Sequence, residues 1–166
     1  MFELKSLSPD AVPRALKKAE RYRLLNEPAE AESICLDVLA VEPDNQEAIA
    51  TLILALTDQF VADPHRTSDA WSTQARLRDE YERAYYAGII HERRAKALLV
   101  LGTPRGGSIA YEWLREAMAS YERAEAVRPA NNDDALLRWN ACARLIMQDS
   151  HLEAAREERS EPLLSE

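Results

Sequence analysis

Glycine is scarce in this chain: four in 166 residues. That leaves few positions for tight turns or left-handed backbone, and it disfavours sandwiches and barrels, which turn often. Cysteine is scarcer still. Cys35 and Cys142 are far apart and each sits in an apolar helical pattern. Two buried, reduced thiols are expected rather than a disulfide, as in a reducing cytosol. The three histidines, His65, His91 and His151, are widely separated. None pairs with another His or Cys at metal-ligand spacing, so no metal site is expected. No run approaches the roughly 18 apolar residues of a membrane span. Met1 to Asp10 lacks the basic and apolar regions of a signal peptide. A cytoplasmic location with no membrane partner is therefore the expectation. Net basic charge is absent too. The formal balance is -8, which disfavours nucleic acid, since phosphate binding needs a basic face.

Hydrophobic residues make up 46% and charged residues 30%, enough to bury a core and keep a wetted surface. Dense Ala, Leu, Glu and Arg favour helix over strand. The charge is uneven. Residues 1–61 carry 6 basic and 11 acidic side chains, residues 62–107 carry 8 and 6, and residues 108–166 carry 7 and 12. Only the middle third is net positive, by two charges.

Apolar periodicity predicts seven helices in an all-α domain. The first covers about 11–25, with Asp10 as N-cap, Pro13 in the first turn and an inward face of Val12, Ala15, Leu16, Ala19 and Tyr22. Pro28 starts the second, whose stripe is Ala31, Ile34, Cys35, Val38 and Leu39, and Pro43 ends it. Asp44 with Glu47 forms a capping box for the third. This helix is apolar on more than one face, which places it mid-stack. A fourth helix over 69–87 and a fifth over 89–101 are expected to divide at Gly88. A single helix through Gly88 is the alternative. The break is favoured because Tyr81-Glu82-Arg83-Ala84 recurs as Tyr121-Glu122-Arg123-Ala124. Thr103 to Ser108 reads as a loop, followed by a sixth helix carrying Ala110, Trp113, Leu114, Ala117, Tyr121 and Ala124. After the turn at Pro129-Ala130-Asn131-Asn132, a seventh helix spans roughly 133–148. The expected division is an extension over 1–9, a helical domain over 10–148 and a charged tail over 149–166.

Two stretches share a further pattern. Ala31 to Cys35 leads through Ala40 to Pro43, and Ala117 to Tyr121 leads through Ala124 to Pro129. In each, a small residue is followed four later by a larger one on a helix that ends at Pro, before an Asn/Asp-rich turn and another apolar helix. This layout resembles the tetratricopeptide repeat (TPR) family, with about three and a half repeats over 10–148. Ala19, Tyr22, Ala31 and Pro43 fit a first repeat; Ala117, Tyr121, Ala124 and Pro129 fit a third. Asn140-Ala141-Cys142 resembles the start of a final half repeat. Cys35 stands where an aromatic is usual, the middle hairpin lacks its Pro, and the 103–108 loop is an insertion. The resemblance implies a right-handed superhelical stack of antiparallel helix hairpins. Its concave groove is lined by the first helix of each pair. Other helical repeats or a closed bundle are the competing architectures.

No nucleophile, base and orienting group fall together, and no pair of carboxylates sits in an apolar frame that would raise a pKa. No catalytic residue and no cofactor are expected. Gly106-Gly107-Ser108 lacks the lysine and preceding strand of a phosphate loop. Trp113 and Trp139 lie on apolar stripes and read as core. The best binding candidates are basic. Arg93, Arg94 and Lys96 fall on a helix expected to line the groove, with Arg93 and Lys96 three apart on one face. Asn140 and Arg144, and Lys17 and Arg21, are four apart and are expected to face the same channel. Some TPR domains clamp a peptide's terminal carboxylate with such residues, although the third helix here offers Ala50 and Thr51 in place of Asn. The expected function is a non-catalytic protein-interaction scaffold. Its peptide-binding residues would be Lys17, Arg21, Arg93, Lys96, Asn140 and Arg144, and its partner an acidic segment. A self-assembling homodimer and a helical small-molecule carrier or enzyme are the alternatives.

Overall fold

The computed structural model describes residues 1–154. Within them the chain is all-helical: a 3-10 turn (Pro9–Ala11) leads into α1 (Val12–Leu24), α2 (Pro28–Val41), α3 (Gln46–Thr57), α4 (Arg66–Gln74), α5 (Glu80–Leu101), α6 (Gly106–Ala126) and α7 (Asp134–Gln148). Each helix packs on the next along the chain. In addition α1 touches α3, and α3 touches α5, so α1, α3 and α5 stand side by side. Most of the tail expected over 149–166 lies outside the described residues.

The core has two parts. The first joins α1, α2, α3 and α4 to one side of α5 through Leu16, Val38, Ile49, Ile53 and Ile90. The second joins the other side of α5 to α6 and α7 through Ala95, Leu114, Ala117, Tyr121 and Cys142. The central position expected of α3 follows from its sequence. Ala48, Ile49, Ala50, Leu52, Ile53, Ala55 and Leu56 are all buried, and α3 meets α1, α2, α4 and α5. Cys35 and Cys142 are unbridged and buried, and burial pushes each thiol up to about 12.

Several boundaries differ from the sequence reading. The third helix is capped by Asn45, not Asp44. The Asn45 side chain accepts from Ala48 N–H at 2.9 Å and donates to Glu42 at 2.7 Å. Asp10 lies inside the 3-10 turn and makes no cap. The largest correction concerns Gly88, which lies within α5 and breaks nothing. The division between the fourth and fifth helices falls at 75–79. Asp79 caps α5 there by accepting from Glu82 N–H at 2.9 Å. Gly88 is needed for packing: a Cβ there would lie 2.4 Å from Cε1 of Tyr121. The recurring Tyr-Glu-Arg-Ala therefore marks no equivalent place, since Tyr81 opens α5 and Tyr121 lies late in α6.

The expected 103–108 loop is also shorter. Gly102 ends α5 in the left-handed region at φ 62°, which glycine adopts without strain. Gly106 and Gly107 then belong to α6. A Cβ on Gly107 would strike the carbonyl oxygen of His151 at 2.2 Å. That close approach seats the segment after α7, with Leu152 buried in the second core.

Candidate functional site

A cleft of about 480 Å³ runs across the odd-numbered helices. Arg23 and Leu24 enter it from the end of α1, and Thr57 and Asp58 from the end of α3. Arg93, Lys96, Ala97 and Val100 come from α5, and Arg138 from α7. Sequence spacing explains the α5 contribution: residues three and four apart share a helix face.

Two carboxylates organise the cations. Asp58 follows the last turn of α3, and its two oxygens accept separately, from Arg23 Nε at 2.8 Å and from Arg93 Nη1 at 2.6 Å. One side chain thus ties α1, α3 and α5. Deeper in the wall, Glu92 is fully buried. Its Oε1 accepts from Lys96 Nζ at 2.5 Å and Arg138 Nη1 at 3.2 Å, and its Oε2 from the Tyr121 hydroxyl at 2.5 Å. Glu92 ties α5 to α6 and α7. Burial alone drives the Glu92 carboxyl up, but the hydrogen bonds from Lys96 and Tyr121 and the charges of Lys96 and Arg138 outweigh it, and the net direction is below the usual carboxylate value. Burial first, then the Glu92 charge, pushes the Tyr121 phenol up. Neither group is poised to exchange a proton near neutral pH; the pair fixes geometry and charge.

Four cations against two carboxylates leave the cleft with a local balance of +2. Each guanidinium carries five donors and an ammonium three, and each cation spends one N–H group on its carboxylate. Arg138 also bonds to the Tyr85 side chain, so the N–H groups left for an anion are chiefly those of Arg23, Arg93 and Lys96. Leu24 and Val100 flank them at 82% and 70% exposure. The arrangement therefore suits an anionic group attached to apolar neighbours.

The expected site residues separate into three places. Arg93 and Lys96 are in the cleft. Lys17 and Arg21 instead line a separate hollow with Arg14, Lys18 and Tyr22 on α1. Asn140 lines a shallow hollow with Glu122, Leu136 and Trp139 between α6 and α7, and Arg144 is exposed elsewhere on α7. The physical reason is phase. At about 100° per residue, a two-residue shift turns a side chain to the opposite side of its helix. Arg23, two beyond Arg21, and Arg138, two before Asn140, are the residues that reach the cleft. Arg94 points away, with its guanidinium 3.8 Å from the ring centre of Trp113. Trp139 donates its indole N–H to Glu122 at 2.9 Å.

Sequence reasoning missed Arg23, Asp58, Glu92 and Arg138. A signal for Glu92 exists: it falls in register with Gly88, Ala95 and Leu99, a charged residue on the inward stripe of its own helix. Lys96 follows four residues later, the spacing of a helical ion pair. His91, next to Glu92, packs edge-on against Trp71 with ring centres 4.8 Å apart, and its buried Nδ1 has no hydrogen-bond partner. No group of three or more His, Cys, Asp or Glu able to hold a metal occurs among the described residues, and no helix there is long and apolar enough to cross a membrane.

No protein-family model, curated protein or solved structure matches the chain.

Proposed function

We propose that this chain is a non-catalytic protein-binding scaffold of tetratricopeptide-like design, in which the cleft receives an acidic, partly apolar segment of a partner protein. The odd-numbered helices then form the inner wall of a right-handed stack of hairpins, and the even-numbered helices its outer layer. The contacts of α1 with α3 and α3 with α5 support that arrangement. The carrying observation is the cleft itself: a local balance of +2 in a chain of net charge -8, beside exposed Leu24 and Val100. Charge-assisted hydrogen bonds from guanidinium groups fix a carboxylate in place, and the apolar rim adds area for its neighbours. A cytoplasmic setting suits two unbridged cysteines.

The test is binding of a fluorescent, end-capped peptide of alternating Glu and Leu, read by polarisation. Arg93→Glu with Lys96→Glu is expected to weaken it by at least about tenfold, since two attractive charges become repulsive. Raising salt weakens binding to the parent protein. Unchanged affinity in the folded double variant, checked by circular dichroism, rejects the reading.

A second reading has one observation behind it. Leu137 and Met147 on α7 are 61% and 76% exposed, and a homodimer would cover them. Sedimentation showing a monomer at all concentrations removes it.

A further inference from the structure

Resting on the reading above, we infer that the cleft selects segments carrying two separate carboxylates over segments carrying one phosphoryl group of the same total charge, and that Asp58 sets this preference. The cations are not pooled. Arg23 and Arg93 share Asp58, and Lys96 and Arg138 share Glu92. Each group therefore holds two positive charges and one negative, a surplus of +1 in two places rather than +2 in one.

The two places are joined through α5. Arg93 and Lys96 are three residues apart, about one turn and 4.5 Å along the axis. In an extended segment, alternate residues point the same way about 6.6–6.8 Å apart. The side chains spread outward from that axial offset, and an extended partner with acids at alternate positions offers one carboxylate to each surplus charge. A phosphoryl dianion faces a different balance. At the outer group it meets a surplus of one and lies against the Asp58 carboxylate, which repels it. At the inner group the carboxylate is fully buried and engaged by three donors, so it does not move aside. The matching of one anion to each surplus charge favours carboxylates.

Asp58 is the adjustable half of this device. It is half-buried at the end of α3, and its two carboxylate oxygens accept from one arginine each. Asp58→Asn removes its charge, keeps an acceptor for one guanidinium and raises the outer group to a surplus of +2. Glu92 is the fixed half, fully buried and held by three donors.

Two end-capped probe peptides distinguish the outcomes. One has Glu at two alternate positions flanked by Leu; the other has a single phosphoserine between the same Leu residues. The parent protein is expected to bind the two-Glu peptide at least about threefold tighter. Asp58→Asn is expected to raise affinity for the phosphopeptide by about tenfold, the order of one added charge in a half-buried site, and to reverse the ranking. Tighter binding of the phosphopeptide to the parent protein overturns the inference while leaving the binding role of the cleft intact. So does an Asp58→Asn variant, folded by circular dichroism, in which phosphopeptide affinity is unchanged or falls. Binding of neither peptide to the parent protein removes the cleft reading as well.

Discussion

The two halves of the core solve the same packing problem with different materials. Around α3, the first half is mainly aliphatic: Leu16, Val38, Ile49, Ile53 and Leu56 pack together with Phe60, and the ionic triad of Arg23, Asp58 and Arg93 lies part-buried at its edge. Around α6, the second half buries a charge and a phenol. Tyr121 lies across the missing side chain of Gly88 and donates to Glu92. An aliphatic core tolerates small changes of shape, because its contacts are many and undirected. A core that holds a carboxylate depends on every donor around it. The second half should therefore fail by loss of a partner and the first by loss of volume.

The strongest way to test that contrast is to strip Glu92 of its cations. Lys96→Ala with Arg138→Ala leaves an uncompensated buried carboxylate, expected to cost about 3–5 kcal/mol in urea unfolding. Adding Glu92→Gln, which keeps an acceptor for Tyr121 and removes the charge, is expected to recover most of the loss. Failure to recover it would mean that the lost side-chain packing matters more than the charge.

A smaller effect compares volume in the two halves. Gly88→Ala forces the Tyr121 ring to move and is expected to cost about 1–3 kcal/mol as overpacking. Ile53→Val, which deletes one methylene from the aliphatic half, is expected to cost about 0.5–1.5 kcal/mol. Equal losses in thermal unfolding would erase the distinction.

Acid titration gives the smallest and most graded signal. Burial lowers the His91 pKa below the usual 6.5, with Glu116 opposing and Arg94 and Arg123 reinforcing the shift. The unfolded chain then takes up that proton first, so stability falls as pH drops below 6.5 toward the folded value. Glu92 is also depressed, from a usual 4.5. Its contribution is complete above 4.5 and is lost as pH falls through its folded value. Unfolding midpoints measured from pH 7 to pH 3 should decline in two stages, and His91→Gln should remove the first.

Apolar periodicity made the helices legible. Stripes such as Ala31, Cys35, Val38 and Leu39 admit one inward face, and all four are buried. The α4–α5 boundary differs from the sequence expectation because the Asp79 cap on Glu82 N–H, and not Gly88, sets it. Glycine's low helix propensity is a local cost, and here the approach of an aromatic ring from another helix decides the position. The site was half legible. Arg93 and Lys96 stand out as cations in the one net-positive third. Arg23 and Arg138 depend on the rotational phase of α1 and α7, which tertiary contact sets and spacing alone does not. Asp58 acquires its role only when α1 and α5 come beside α3.

Cys35 and Cys142 carry a practical consequence. Both sulfurs are shielded by packing, and their thiols stay protonated at neutral pH, so neither offers the thiolate that alkylating reagents attack. A cysteine introduced on the surface, at Val100 for example, would be the one to react. A dye or spin probe can therefore be attached beside the cleft without first replacing the native sulfurs.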